Sequence, residues 1–114
     1  MSDCLFCQII AGKMPATVAY RDEQIIAIRD INPQAPTHIL VLPRQHLASV
    51  TDAQARDESL LGALLRAAAR IAEQEGLQHS GFRLVANTGP DAGQSVGHLH
   101  FHLLGGRAMA WPPG

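Results

Sequence analysis

The sequence predicts an α+β fold: a five-stranded antiparallel sheet carrying one long and one short helix. Three observations predict it. Apolar, β-branched runs over 17–21, 24–29 and 38–42 have strand length and are bounded by turn residues. A broad apolar stripe repeats at helical spacing from about Ala55 to Glu75. Finally, His98-Leu99-His100-Phe101-His102-Leu103-Leu104 alternates imidazoles with apolar side chains, the period of a strand with one buried face. The resulting order is helix, three strands, long helix, two strands. An antiparallel sheet with helices on it meets that order most simply.

Element by element, Cys4 to Ala11 reads as a short helix with Leu5, Ile9 and Ile10 on its apolar side and Gly12 as its stop. Thr17 to Arg21 and Gln24 to Arg29 are strands joined by the tight turn Asp22-Glu23. The segment Asp30-Ile31-Asn32-Pro33-Gln34-Ala35-Pro36 is a loop, because its prolines and Asn break any ladder. His38 to Leu42 is β-rich and ends at Pro43. In the long helix, Leu60, Leu61, Leu64, Leu65, Ala68, Ile71 and Ala72 form a stripe wide enough for core and a subunit contact, and Gly76 ends it. Phe82 to Asn87 is a strand, and a glycine-bearing loop leads from it into the histidine strand, taken as His98 to Leu104.

At 114 residues, with 46% hydrophobic and 17% charged content, the chain suits one folded domain over 1–114. A net charge of −1 gives no reason to expect nucleic acid or an anionic membrane as partner. Met1-Ser2-Asp3-Cys4 shows no basic region before an apolar run, so no signal peptide is expected, and no apolar stretch approaches a membrane span. A cytoplasmic location is the expectation.

Half of the six histidines lie in the alternating segment. On a strand all three would share one face, with Leu99, Phe101 and Leu103 turned into the core. As a helix the segment would pair His98 with His102, but Leu99 stands where a zinc protease motif needs Glu. His98 and His102 would lie about 13 Å apart at Cα along a strand, too far to converge easily on one metal. Imidazole is a good nucleophile toward phosphorus and can form a covalent intermediate, and the neighbours of His100 lie close enough to hydrogen-bond the same phosphate. The loop Asn87-Thr88-Gly89-Pro90-Asp91-Ala92-Gly93-Gln94-Ser95-Val96-Gly97 adds neutral donors in Asn87 and Ser95. Its glycines permit backbone conformations that aim N–H groups at an anion. From the residues alone, Asp30 reads as a turn cap before a ligand contact, and His38 as a structural histidine as readily as a site residue.

The alternating segment resembles the histidine triad (HIT) superfamily. Asp30-Ile31-Asn32-Pro33-Gln34-Ala35-Pro36-Thr37-His38, Gly93-Gln94-Ser95-Val96 and the tail from Gly105-Gly106-Arg107 to Trp111-Pro112-Pro113-Gly114 resemble its nucleotide-binding (Hint) branch. The resemblance implies a homodimer of five-stranded sheets and hydrolysis of purine nucleoside phosphoramidates, releasing AMP or a similar monophosphate. It implies His100 as nucleophile, His102 on a phosphate oxygen, His38 in support, and Ser95 and Asn87 on the phosphate or leaving group. Gly93, Gln94 and Val96 would lie beside the nucleotide, Asp30 would take the ribose hydroxyls, and Ile31 would lie against base or sugar. Two positions depart from the branch: Gly97, where a larger and often aromatic residue is common, and Ala110, where a polar residue often precedes the tail Trp.

Cys4 and Cys7 have the C-x-x-C spacing of a metal or redox pair. Two thiolates on one short helix suit tetrahedral zinc, which needs two more ligands. Resemblance to zinc-binding bacterial members implies His46 and His98 as those ligands, with zinc structural and not required for catalysis. Two other functions compete with the phosphoramidate hydrolase: a nucleotide-binding module with incidental turnover, and a zinc hydrolase using the triad as ligands.

Overall fold

The computed structural model describes residues 4–114; Met1-Ser2-Asp3, on which the signal-peptide reading partly rests, lie outside the described residues. Val18–Arg21 (β1), Ile25–Arg29 (β2), Thr37–Pro43 (β3), Phe82–Val85 (β4) and Phe101–Gly105 (β5) form one antiparallel sheet ordered β1-β2-β3-β5-β4. Leu5–Ile10 (α1) and Glu58–Gln74 (α2) cover its opposite faces. The expected five-stranded sheet with one long and one short helix is borne out.

Ile25-Ile26-Ala27-Ile28 and Ile39-Leu40-Val41-Leu42 are apolar without alternation because both faces of β2 and β3 are covered. Ile25, Ala27, Ile39 and Val41 pack under Leu60, Leu64, Ala68, Ile71 and Ala72 of α2. Ile26, Ile28, Leu40 and Leu42 face the other way, toward Phe6 of α1.

The histidine segment departs from its expected extent. The β5 ladder begins only at Phe101, so His102 is the triad member inside it. The cause lies in β3. The Arg44 N–H donates to Gln24 and the Asp30 N–H to the His38 carbonyl, so even-numbered residues of β3 face β2 and odd-numbered ones face β5. Pro43 therefore turns its missing N–H toward β5, and its carbonyl is taken by the His98 ring, Nε2 to O 2.8 Å. No ladder bond is left for Leu99, whose N–H goes to the Leu47 carbonyl. The alternation of faces survives: Leu99 and Leu103 are buried in the α2 core with Phe101 packed against it, and the imidazoles lie on the α1 side.

The long helix starts at Glu58, three residues later than expected, because 55–57 winds as a 3-10 turn. The buried Asp57 carboxylate accepts the Gln54 N–H at 2.8 Å and holds that tighter turn. At the other end Gly76, φ +78°, turns the chain so that the Leu77 N–H reaches the Ala72 carbonyl. Among the described residues no helix is long and apolar enough to cross a membrane.

Candidate functional site

A helix of six residues cannot cover the sheet face it lies on, and beside α1 a cavity of about 550 Å³ remains. Ile28 and Leu40 form its floor, while Leu5, Phe6 and Ile9 of α1 and Met14-Pro15-Ala16 form its walls. Asp30, Ser95, His100 and His102 gather the polar groups, with Ile31 and Val96 alongside. A smaller cleft of about 270 Å³ on the α2 side, between Tyr20 and Arg66 and Arg70, has no histidine, serine or cysteine in its lining.

Hydrogen bonding sets the proton positions on the three histidines at the larger cavity. The Gln34 N–H donates to His38 Nδ1 at 3.0 Å, so neutral His38 carries its proton on Nε2. That proton lies between His38 Nε2 and His102 Nδ1, 2.9 Å apart, with Asp30 Oδ2 at 3.5 Å. His102 therefore accepts at Nδ1 and keeps Nε2–H as a donor. His100 Nδ1 lies 2.7 Å from the His98 carbonyl, which can only accept, so His100 donates there and holds its lone pair on Nε2. The result is a nucleophilic nitrogen beside a donor, on rings 5.0 Å apart.

Electrostatics reinforce the neutral forms. Burial, and then the neighbouring His100 and His38, push His102 down to about 4, outweighing the opposing pull of Asp30. Burial likewise lowers His38 against the attraction of Asp30. At neutral pH both rings are uncharged and the donor–acceptor order above holds.

His98 faces a different set of partners. Its Nε2–H donates to Pro43, which leaves the Nδ1 lone pair aimed at Cys4 Sγ, 3.3 Å, and Cys7 Sγ, 3.6 Å; His46 Nδ1 lies 3.3 Å from Cys7 Sγ. All four atoms fall within 4.8 Å of one another. Tetrahedral zinc with bonds of about 2.0–2.3 Å separates its ligand atoms by roughly 3.5 Å, so the set fits. The Pro43 carbonyl orients His98 as an outer partner of a metal ligand does. Burial, and then Cys4, push the Cys7 thiol up, and a bound cation would favour its thiolate form.

Asp30, His38 and His102 also cluster closely enough for an ion. Their hydrogen bonds oppose that role. His38 Nδ1 already accepts from Gln34, so Nε2 carries a proton and has no lone pair to give. With His98 committed to the cysteines, the triad does not converge on one metal.

A family model described as the HIT domain matches residues 11–109. The chain belongs to the HIT family. It is 51% identical to the 14 kDa zinc-binding protein of Zea mays, over 99% of this chain and 89% of the relative. It is 46% identical to the purine nucleoside phosphoramidase of Escherichia coli K12, over 94% and 90%. A crystal structure of a HIT family hydrolase from Legionella pneumophila superposes with TM-score 0.96 at 51% identity, covering 98% of this chain and all of that one.

Within this HIT fold, Asp30, Ile31, Ser95, Val96, His100 and His102 line the cavity. His38 is buried behind His102 and reaches the cavity only through it. Asn87, Gly93 and Gln94 are not in the cavity wall. The Gln94 amide instead clamps its own loop, donating to the Ala48 and Val96 carbonyls and accepting from the Gly89 N–H. Gly89 and Gly93 take positive φ, but Gly97 does not, and a side chain at 97 would meet open space. Sequence reasoning missed the apolar walls, Leu5, Phe6, Ile9 and Met14-Pro15-Ala16. The signal for them is present: two unbroken apolar strands require cover on both faces, and a short helix cannot supply it.

Proposed function

We propose that the protein hydrolyses purine nucleoside phosphoramidates at the P–N bond. The observation that carries this reading is the pairing of the His100 Nε2 lone pair with the His102 Nε2–H at the polar end of the cavity. In the reading, His100 Nε2 attacks the α-phosphorus, and the P–N electron pair goes to the leaving nitrogen, which takes a proton from water and departs as the amine. Charge forming on the imidazole is stabilised by Nδ1–H on the His98 carbonyl. His102 donates to a phosphate oxygen, held in that tautomer by His38, and Ser95 contacts the phosphate or leaving group. Water then cleaves the nucleotidyl-histidine and releases AMP or a similar monophosphate. The apolar walls suit a purine, and Asp30 the ribose hydroxyls, with Ile31 at the rim. The phosphoramidase relative supports the substrate class and the hydrolase neighbour supports the reaction class.

The match over 11–109 supports reading 1–114 as one HIT domain. Cys4, Cys7, His46 and His98 would hold a structural zinc, tying α1 to the catalytic segment and taking no part in the chemistry. The zinc-binding relative supports this reading. A homodimer is supported by the edge strand β4 with its exposed Phe82 and by exposed Leu65 on α2. Free thiols at Cys4 and Cys7 suit a reducing cytoplasm.

Turnover of an adenosine 5′-phosphoramidate with a fluorescent amine tests the function. We expect hydrolysis by the native protein and loss with His100→Ala at retained AMP binding. A folded native protein that binds AMP without turnover would leave a nucleotide-binding module.

A further inference from the structure

We propose that Phe6 is a positioning residue through which the Cys/His cluster holds the nucleophile. The inference rests on the reading of His100 as nucleophile. It starts from a continuous row of rings across the molecule: His46 to His98 at 4.9 Å, His98 to Phe6 at 5.8 Å and Phe6 to His100 at 5.1 Å. Phe6 is the one member without a heteroatom, and at 3% exposure it is fully enclosed. It meets His98 and His100 edge-to-face, at 76° and 85°.

Two connections join the cluster to His100. One is the His98 residue itself, whose ring belongs to the cluster and whose carbonyl takes the His100 Nδ1–H. The other is Phe6, which stands between Cys4 and Cys7 on α1 and presses on the His100 ring. A six-residue helix is too short to hold its own shape, so its place on the sheet depends on what anchors it. Ligation of Cys4 and Cys7 fixes α1, α1 fixes Phe6, and Phe6 confines the rotation of His100 that would break its bond to the His98 carbonyl. The cluster thereby governs the rate of attack without touching substrate.

Phe6→Leu keeps an apolar side chain and removes the ring edge. With zinc bound, kcat of this variant should fall at least tenfold and by a larger factor than AMP affinity, since Leu keeps the apolar wall that Phe6 gives the cavity. Nitrogen NMR of the imidazoles should show His100 as the Nδ1–H tautomer in native protein and as a mixture in Phe6→Leu, with His102 unchanged. Chelation should reproduce the kcat loss in native protein and add little in Phe6→Leu, because both act through one contact. A kcat within twofold of native, an unaltered His100 tautomer, or equal chelator effects in both proteins would each overturn the proposal. If metal-free protein does not fold, the zinc-loaded comparison decides. If native protein shows no His100-dependent turnover, the function fails while the His100 spectrum still decides the role of Phe6.

Discussion

His38 Nε2 lies 2.9 Å from His102 Nδ1, and the Gln34 N–H behind His38 fixes the direction of that bond. A backbone amide thus sets the tautomer of a side chain two rings away. His102 arrives at the cavity as a donor because of a loop residue that never reaches it.

Removing His38 should therefore damage chemistry more than binding. In His38→Ala, His102 is free to place its proton on either nitrogen, and part of the population presents a lone pair to the phosphate oxygen. We expect kcat to fall about 10–100-fold, the scale on which outer partners of active-site imidazoles act, with the Kd for AMP changed less than threefold. Equal losses in kcat and AMP binding would show that His38 only supports the pocket.

His102 also makes stability pH-dependent, and the sign follows from its depressed value. Folded His102 titrates at about 4 against 6.5 for the free side chain. Between those values the unfolded chain binds the extra proton, so stability is unaffected above about pH 7 and falls as the pH drops from 6.5 toward 4. The full shift corresponds to roughly 3–4 kcal/mol, which solvent screening at this half-buried ring reduces to on the order of 2–3 kcal/mol when complete. Urea unfolding at pH 7.5, 6 and 5, run in chelator to exclude metal loss, should show it. His102→Gln should lack that component; an identical pH slope in the variant would assign the effect elsewhere.

Chelation should destabilise the fold, because a ligand bound only by native protein contributes about 3–4 kcal/mol at 100–1,000 times its Kd. For a domain of this size that corresponds to a Tm lowered by roughly 10 °C or more. Cys7→Ser should start low and respond little to chelator. Asp30→Asn should keep the native metal content, since the polar end of the cavity offers no converging lone pairs. Metal loss in Asp30→Asn would move the ion into the active site.

The sheet was readable from sequence because each strand obeys a local rule: alternation in β5, a double-faced apolar run in β2 and β3, a glycine stop after α2. The histidine row was readable as a face and misread as a ladder. What ends the ladder is Pro43, far away in sequence, whose orientation toward β5 depends on β3 register. The proposed split of the histidines between two tasks comes from resemblance, and the contact that favours it, the Pro43 carbonyl taking the His98 Nε2–H, is tertiary. Gln94 shows the same limit. Its place in the loop was plain, but only the fold shows its amide bound to Ala48.

Two glycines near the histidine segment should respond oppositely to the same substitution. At Gly97 the backbone φ is ordinary and a Cβ would meet nothing within 4 Å. Gly97→Ala should be neutral or stabilise by about 0.4–1 kcal/mol, through the narrowed freedom of the unfolded chain. At Gly105 the Cβ would stand 2.6 Å from Leu77 Cδ1 and 3.0 Å from Cδ2, and Leu77 is buried where α2 gives way to the turn before β4. Leu77 must shift within a packed core, at a cost of about 1–3 kcal/mol. Urea midpoints at pH 7.5 should separate the variants, with Gly105→Ala well below native and Gly97→Ala at or above it. A destabilised Gly97→Ala would mean that the approach to His98 is tighter than its open surroundings indicate. The absence of a side chain at 97 would then be a requirement of this chain.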